Sequence, residues 1–246
     1  MVIVAVDRCG PALNRLLAAL PDDEYQALLP DLELIQVEHR QVVSRPGEPI
    51  EHVYFPRGAV ISMLVPMSGG QRVEGATIGY EGMAGLPLFL GDSSSVQEEV
   101  ICQVAGPGWR MTANAFRAAL KRGPRLHVVL HRYTLALMGQ LIRTAGCNSI
   151  HPIDERCARW LLMTADRVGA DEFPLTQEFL AAMLGVQRPS VTVAAHMLQA
   201  AGVLRYRRGV VSILDRAGLE QSACEDYRLT RQIYEQLYGS ELSARV

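Results

Sequence analysis

The sequence lacks an excess of positive charge, because 24 Lys and Arg residues face 26 Asp and Glu residues among its 246 positions. No global basic field therefore indicates nucleic-acid binding, and any contact with DNA must come from a local patch. Long hydrophobic runs are also missing: the apolar residues 1–6 are interrupted by Asp7, far short of the roughly 18 residues of a membrane span. We expect a cytoplasmic protein without a membrane partner, and an apolar fraction of 49% excludes disorder.

Closely spaced pairs of cysteines are absent as well. The chain has five widely spaced cysteines, Cys9, Cys102, Cys147, Cys157 and Cys224, and no C-x-x-C motif. This pattern argues against a disulfide framework and against a local zinc or iron–sulfur cage, so we expect no metal site. His127 and His131 have the spacing of one helix face, but neither an H-E-x-x-H glutamate nor a third ligand lies nearby.

Catalytic motifs are not found either. A scan for a hydrolase elbow, a Walker loop or a Rossmann fingerprint finds none, and no nucleophile–base pair is recognisable. We therefore predict no catalytic residues and do not expect an enzyme.

What the sequence does contain is a series of changes in hydrophobic period. Residues 11–29 predict two short helices around Pro21. Between about residues 32 and 111, short apolar runs alternate with Pro/Gly turns, and the run from Val96 to Val104 places apolar and polar residues on opposite faces. This stretch predicts a small β-barrel or β-roll.

A long uninterrupted helical pattern follows Pro124. Its apolar positions repeat at alternating steps of four and three, which is a heptad seam that needs a partner. The seam consists of Leu126, Leu130, Tyr133, Leu137, Gln140, Leu141 and Thr144. We predict that it forms a homodimer interface; the alternative is that the same stripe packs on the chain's own β-domain. A hinge is predicted at residues 148–152, where Pro152 suits the first turn of the next helix.

The most specific local pattern runs from residue 175 to residue 204. Thr176 can cap a first helix that ends at Gly185, where a sharp turn requires a positive φ. A second helix opens near Pro189, and the apolar positions that a helix-turn-helix needs are filled. The second helix would present donors and a methyl contact to the major groove of DNA. Its outward candidates are Gln187, Arg188, Ser190, Thr192, Val193 and His196.

A basic hairpin is predicted to follow, with its turn at Arg208-Gly209. We predict that bases are contacted by Gln187, Arg188, Ser190 and Thr192, whereas His196 reaches only phosphate. Phosphate would also be bound by Thr176, Arg205, Arg207 and Arg208. Helix capping is the alternative role for Gln187 and Ser190, and a plain solvated hairpin is the alternative for the basic segment.

This order of parts resembles the Crp/Fnr family of bacterial transcription regulators. The resemblance covers roughly residues 20–219 and is firmest from residue 175 to residue 204. It is supported by Pro46-Gly47-Glu48, Tyr54-Phe55-Pro56 and Gly79-Tyr80-Glu81-Gly82. It implies an α+β fold: an N-terminal β-roll (a double-stranded β-helix similar to cyclic-nucleotide-binding domains), a long dimerisation helix and a C-terminal winged helix-turn-helix. It further implies a homodimer on a two-fold symmetric operator in double-stranded DNA, with RNA polymerase as a candidate partner.

On this basis we divide the chain into five parts. They are N-terminal helices (1–30), a β-roll sensor domain (31–122), a dimerisation helix and hinge (123–150), a winged helix-turn-helix domain (151–218) and a C-terminal helical extension (219–246). We expect the extension to dock on the DNA-binding domain.

The sensor region departs from the cyclic-AMP-binding members of the family, in which a Gly-Glu turn is followed by an Arg-Ser pair that holds the phosphate. Here residues 91–99 contain no arginine, so a buried phosphate would lack its cationic partner. Only Cys9 lies where the oxygen-sensing branch needs a cysteine cluster. We therefore expect no cofactor: neither cyclic AMP, nor haem, nor an iron–sulfur cluster.

An effector of unknown identity would bind near Tyr80, Glu81, Gly82, Ser93, Ser94 and Ser95. A roll filled by its own side chains explains these residues equally well. The second functional hypothesis is a small-molecule-sensing β-roll whose DNA binding is secondary or degenerate.

Overall fold

The computed structural model describes residues 14–94 and 97–239. Its first elements are α1 (Arg15–Ala18) and α2 (Asp22–Leu28), the two short helices predicted around Pro21. Asn14 caps α1 by accepting hydrogen bonds from the backbone N–H groups of Leu16 and Leu17. Its Nδ2 donates to the carbonyl oxygens of Pro56 and Gly82, so the N-terminal end of α1 is anchored to the β-domain.

Seven strands form the β-roll, which confirms the β-domain predicted from the short hydrophobic period. Its elements are β1 (Glu33–Val37), β2 (Val42–Ser44), β3 (His52–Pro56), β4 (Val60–Pro66), β5 (Arg72–Ile78), the short helix α3 (Pro87–Leu90), β6 (Glu99–Val104) and β7 (Gly106–Thr112). One antiparallel sheet has the order β1-β7-β3 and the other has the order β2-β6-β4-β5. A buried apolar core that includes Ile61, Ile78 and Cys102 lies within the roll.

Helix α4 (Ala113–Arg122) leads into the long helix α5 (Pro124–Ile150). The predicted seam of α5 faces the chain's own roll rather than solvent. Leu126, Leu130, Tyr133 and Leu137 are buried in one core with Val53, Phe55 and Met83. Gln140 is buried and donates to the carbonyl of Thr77 at 3.1 Å, Leu141 packs against the same core, and Thr144 is half-buried.

The dimer-interface assignment is therefore wrong for the five buried residues, because side chains already buried within one chain cannot also cover a second copy. Leu141 and Thr144 are half-buried, and their assignment stays a prediction. The exposed face of α5 carries another apolar stripe: Val128 is 37% exposed, Leu135 68%, Met138 52% and Ile142 70%. These positions are separated by seven, three and four residues, so they also follow a heptad.

The C-terminal part has the predicted helix-turn-helix and wing. Its elements are α6 (Ile153–Val168), β8 (Glu172–Pro174), α7 (Gln177–Leu184), α8 (Arg188–Ala200), β9 (Leu204–Arg207), β10 (Val210–Ile213), α9 (Arg216–Gln221) and α10 (Asp226–Gly239). The three strands form an antiparallel sheet in the order β8-β10-β9. Leu180, Leu184, Val191 and Ala194 are buried in the core of this part, as the pattern predicted.

Helix α10 does not dock on the DNA-binding part alone, which corrects the expectation for the C-terminal extension. It packs mainly along α5, where a Cβ added to Gly139 would lie 3.1 Å from Ile233. The hydroxyl of Tyr234 donates to Gln140 at 2.9 Å, and that of Tyr238 donates to the backbone carbonyl of Glu81. One helix thus contacts α5, the roll and α6.

Helix α6 packs on the outer face of the four-stranded sheet through buried polar groups. Trp160 Nε1 donates to Glu74 at 2.8 Å, and Ser62 Oγ lies 2.7 Å from both Glu74 and Gln103. Gln103 in turn donates to Thr164 at 3.2 Å. The polar face of β6 is therefore covered by α6 at Gln103. Within the described ranges, no helix is long and apolar enough to cross a bilayer.

Candidate nucleic-acid interface

The turn between α7 and α8 is formed by the residues that the sequence pattern indicated. Thr176 Oγ1 accepts a hydrogen bond from the N–H of Phe179 at 3.1 Å and so caps α7. Gly185 ends α7 with φ of 64°, a left-handed conformation that favours glycine. Ala181 is buried where the two helices cross. This geometry holds α8 on a rigid support.

The start of α8 presents Gln187 and Arg188 to solvent. Gln187 occupies the cap position, but its side chain makes no capping hydrogen bond, so the amide is available to an outside partner. Ser190 is half-buried in the first turn. The hydroxyl of Thr192 donates to either Gln177 Oε1 or the carbonyl of Arg188, both at 3.1 Å, so the structure gives it a role in joining the two helices.

Further along α8, the outward face carries Val193, His196 and Met197. Val193 is 59% exposed and Met197 is 53% exposed, which is unusual for such side chains in a folded domain. Met197 was not among the sequence candidates. Its spacing of four from Val193 and eight from Pro189 is the signal that would have found it, because these positions share one helix face.

The predicted wing is confirmed. Strands β9 and β10 pair in antiparallel register up to Arg207 and Val210. Arg208 and Gly209 have φ of 51° and 76°, so both central residues of the two-residue turn are left-handed, as in a type I′ hairpin. Tyr206 anchors the hairpin by donating its hydroxyl to the carbonyl of Leu175 at 2.6 Å.

The arginine side chains of this surface are available to bind an anion. Arg188, Arg205, Arg207 and Arg208 are exposed, and none of them forms an ion pair with another residue of the described ranges. Arg216 does not belong with them, although it follows them closely in sequence. It pairs with Asp166, and its Nη2 donates to the hydroxyl of Tyr227 at 2.9 Å.

Two of the predicted effector residues line a cavity. Tyr80 and Glu81 line a cavity of about 320 Å³ between the roll, α6 and α10, and neither Ser93 nor Ser94 lines it. Glu81 is buried and accepts a hydrogen bond from Arg167 of α6 at 2.8 Å. Gly82 lies against the ring of Tyr133, where a Cβ would come within 2.4 Å.

The two described serines have a local role. Asp92 accepts hydrogen bonds from the N–H groups of Ser93 and Ser94, which stabilises an Asx turn. Ser95 lies outside the described residues.

One cavity within the described part of the roll is small. It is lined by Met63, Met83 and Leu137 among others and measures about 20 Å³. A single water needs roughly 10–15 Å³, and small-molecule sites measure roughly 300–1,000 Å³. This cavity is therefore smaller than a small-molecule site.

Comparison with known proteins agrees with this architecture. Residues 155–222 match the Crp-like helix-turn-helix domain, whereas no curated protein matches the chain. A Crp/Fnr family transcriptional regulator from Eubacterium rectale ATCC 33656 superposes with a TM-score of 0.64 at 16% identity, over 84% of this chain and 96% of that one. FixK2 from Bradyrhizobium japonicum superposes with a TM-score of 0.66 at 17% identity, over 78% and 98% of the two chains.

The c-di-GMP responsive global regulator CLP from Xanthomonas campestris is similar to the same degree. Its TM-score is 0.63 at 16% identity, over 78% of this chain and 99% of that one. Residues 155–222 are thus similar to the Crp-like helix-turn-helix domain. With the β-roll and the long helix before it, the chain has the fold of the Crp/Fnr transcription regulators.

Proposed function

We propose that this protein is a sequence-specific DNA-binding transcription regulator that acts as a homodimer on a two-fold symmetric operator. The observation that carries the proposal is the surface formed by α8 and the wing. It joins four exposed arginines, Arg188, Arg205, Arg207 and Arg208, to a rigidly held helix with a free N-terminal turn. A chain with a net charge of −2 thus carries unpaired positive charge on its helix-turn-helix domain.

Within this surface, Arg188 and Gln187 would contact base edges, and Val193 would contact a thymine methyl group. The wing arginines and Thr176 would contact phosphates, which give affinity but carry no sequence information. Ser190 and His196 stay candidates for a base and a phosphate contact, respectively. Thr192 is a weaker candidate for base contact because its hydroxyl already has partners on both helices.

The homodimer would form through the exposed stripe of α5. Val128, Leu135, Met138 and Ile142 form an apolar seam on a helix of 27 residues. Two such seams, one from each chain, can pack as a coiled coil. This would place the two α8 helices, the recognition helices, on one side of the DNA about 34 Å apart. Its partners would then be double-stranded DNA, a second copy of the chain and RNA polymerase, all in the cytoplasm.

The contact between the roll and the helix-turn-helix provides a route for effector control. Helix α7 packs against β5, and a Cβ added at Gly185 would lie 3.1 Å from Val73. The β4–β5 turn and the start of α8 line a shared cavity of about 480 Å³ that includes Arg188. A ligand that moves the roll relative to α7 would therefore change how the start of α8 is presented to DNA.

The second candidate function is a small-molecule sensor with secondary DNA binding. It is favoured by the cavity of about 320 Å³ at Tyr80 and Glu81, which also includes Arg15, Arg167 and Arg231. Arg167 and Arg231 already pair with Glu81 and Glu235, so Arg15 is the arginine of these three that suits an anionic metabolite. A thermal-shift screen of anionic metabolites separates the candidates, because a primary sensor would be strongly stabilised by one ligand.

The decisive experiment is selection of binding sites from a randomised duplex library by the full chain at physiological salt. Enrichment of a two-fold symmetric site is the expected result. Arg188→Ala is expected to change the selected sequence at one position of each half-site, while the control Arg122→Ala, on α4, leaves it unchanged. Binding without any sequence preference, in the presence and absence of the metabolite panel, would refute the proposal.

A further inference from the structure

A cluster of four metal-ligand side chains lies outside the DNA-binding surface, where α5 ends and α10 begins. Cys147 and His151 are separated by one helical turn, and Cys224 and Asp226 come from the loop and first turn of α10. One donor atom from each lies within 4.8 Å of all the others. Spacing along the chain did not predict this cluster, since its two halves are 73 residues apart between His151 and Cys224.

We propose that Cys147, His151, Cys224 and Asp226 bind a single zinc ion in a tetrahedral structural site. Two sulfurs, one imidazole nitrogen and one carboxylate oxygen are all ligands that zinc accepts, and structural zinc sites have four of them. The bound zinc would link the start of α10 to the end of α5. It concerns neither the recognition helix nor the wing, so it stands apart from the proposed function.

Two of the distances within the cluster match the separation of ligands of one ion. The sulfurs of Cys147 and Cys224 are 3.5 Å apart. Two Zn–S bonds of about 2.3 Å at the tetrahedral angle place sulfurs roughly 3.8 Å apart, whereas a disulfide requires about 2.0 Å. His151 Nδ1 and Asp226 Oδ2 are 3.4 Å apart, and nitrogen and oxygen ligands at about 2.1 Å from zinc are separated by roughly that distance.

His151 has the hydrogen bonding of a metal ligand. Its Nδ1 is buried and has no hydrogen-bond partner among the described residues, although Asp226 Oδ2 is near. Its other ring nitrogen, Nε2, lies 3.3 Å from Glu225 Oε2. A metal-bound histidine characteristically donates its second ring N–H to a carboxylate, which fixes the ring and leaves the first nitrogen for the metal.

The surroundings fit the charge of a zinc site. Two thiolates and one carboxylate around Zn²⁺ leave one net negative charge. Arg143 donates to Asp226 Oδ1 at 3.2 Å, which leaves Oδ2 for the metal, and Arg159 adds positive charge beside Cys147. Cys147, Cys224 and Asp226 are buried, so a bound ion would be shielded from water, as structural zinc ions usually are.

The first test measures metal content of the full chain, purified under reducing conditions and incubated with zinc before removal of the excess. Elemental mass spectrometry should find about one zinc ion per chain. Replacement by Co²⁺ should give the visible absorption bands of tetrahedral cobalt with thiolate charge transfer. Asp226→Asn and Cys224→Ser should each lose the metal, whereas the control Cys157→Ser, at a buried cysteine outside the cluster, should retain it.

A second readout needs no variant. Alkylation of Cys147 and Cys224 should be slow in the zinc-loaded protein and should become faster after a chelator is added, and hydrogen exchange in residues 226–239 should rise at the same time. The proposal is overturned if the reduced wild-type protein binds neither zinc nor cobalt. It is also overturned if the two cysteines are joined in a disulfide under these conditions, or if the Asp226 and Cys224 variants retain the full amount of metal.

Discussion

At the scale of single residues, Arg188 and Arg207 differ in what they can contact. Arg188 is exposed at the first turn of α8, whereas Arg207 is exposed on the wing next to the turn. A helix start can reach a base edge in the major groove, and a wing runs along the sugar–phosphate backbone. The same residue type therefore has two different expected effects.

Arg188→Ala is expected to cost roughly 1–3 kcal/mol on the preferred site and to relax specificity at one position. Arg207→Ala should weaken binding to all sequences alike. It should also reduce the slope of log binding constant against log salt concentration by about one, the contribution of one phosphate contact. Titrations of matched and mismatched duplexes at several salt concentrations measure both effects. Equal losses on all duplexes for Arg188→Ala would show that this residue contacts phosphate instead.

Glu74 is a buried carboxyl group between the roll and α6. Burial raises its pKa from an ordinary 4.5 to about 6, although Ser62 and Trp160 donate hydrogen bonds to it. Because the folded-state pKa is the higher one, folding favours the protonated form. The contribution of Glu74 to the free energy of unfolding is complete below about pH 4.5. It decreases by about 2 kcal/mol as the pH rises through 6.

Glu74→Gln should therefore flatten the pH dependence of the melting temperature between pH 4.5 and 6.5, since glutamine keeps the shape and an acceptor for Trp160 but does not titrate. Thermal denaturation across this pH range tests the prediction. Glu178→Gln, at an exposed position on α7, is the matched control. If the profile of the Glu74 variant remained as steep as that of the wild type, another group would be responsible.

At the scale of secondary-structure elements, α5 has two apolar stripes, and they differ in whether the described chain covers them. The inner stripe completes the core of the roll, and the outer one, from Val128 to Ile142, has no partner within the described chain. Burying an unpaired charge in an apolar interface costs several kcal/mol, so acidic substitutions on the outer stripe should act on association and not on folding.

The double variant Leu135→Glu, Ile142→Glu is expected to raise the dimer dissociation constant roughly a hundredfold or more. Sedimentation equilibrium measures the constant, and the melting temperature at low concentration verifies that each chain still folds. Leu90→Glu, at an exposed leucine on α3, should leave association unchanged. A dimer that persists in the double variant would mean that a different surface is used.

Some element-level features were predictable because they depend on neighbours in sequence. The cap at Thr176, the left-handed Gly185 and the turn at Arg208-Gly209 require only local geometry, and the structure has all three. The face of α5 that contacts the roll is different, because both of its apolar stripes follow a heptad. Periodicity identifies an amphipathic helix but not the partner of each face.

At the scale of the whole molecule, a buried ion pair joins the roll to the DNA-binding part. Glu81 and Arg167 are each about 95% buried, and their charged atoms are 2.8 Å apart. Glu81→Gln removes one charge and leaves the other buried without compensation, which typically costs 3–5 kcal/mol. For a chain of this size, the melting temperature should fall on the order of 10 °C.

Glu235→Gln is the matched control. Glu235 also pairs with an arginine beside the same cavity, but both partners are about half exposed, so the loss should be about 1 kcal/mol or less. Calorimetry of both variants makes the comparison. Similar small losses in the two would indicate that the roll and the helix-turn-helix separate readily in solution.

The sequence by itself determined the elements: the β-roll, the long helix, the helix-turn-helix and its basic wing. Each of these depends on hydrophobic period, caps and turns that operate within a few residues. Only the tertiary structure decided which face of α5 is free, that α6 covers the polar face of β6, that α10 joins three parts of the chain and that Cys147 meets Cys224. These features depend on contacts between distant segments, because burial of a face is set by the element that packs on it and not by the pattern of the face alone.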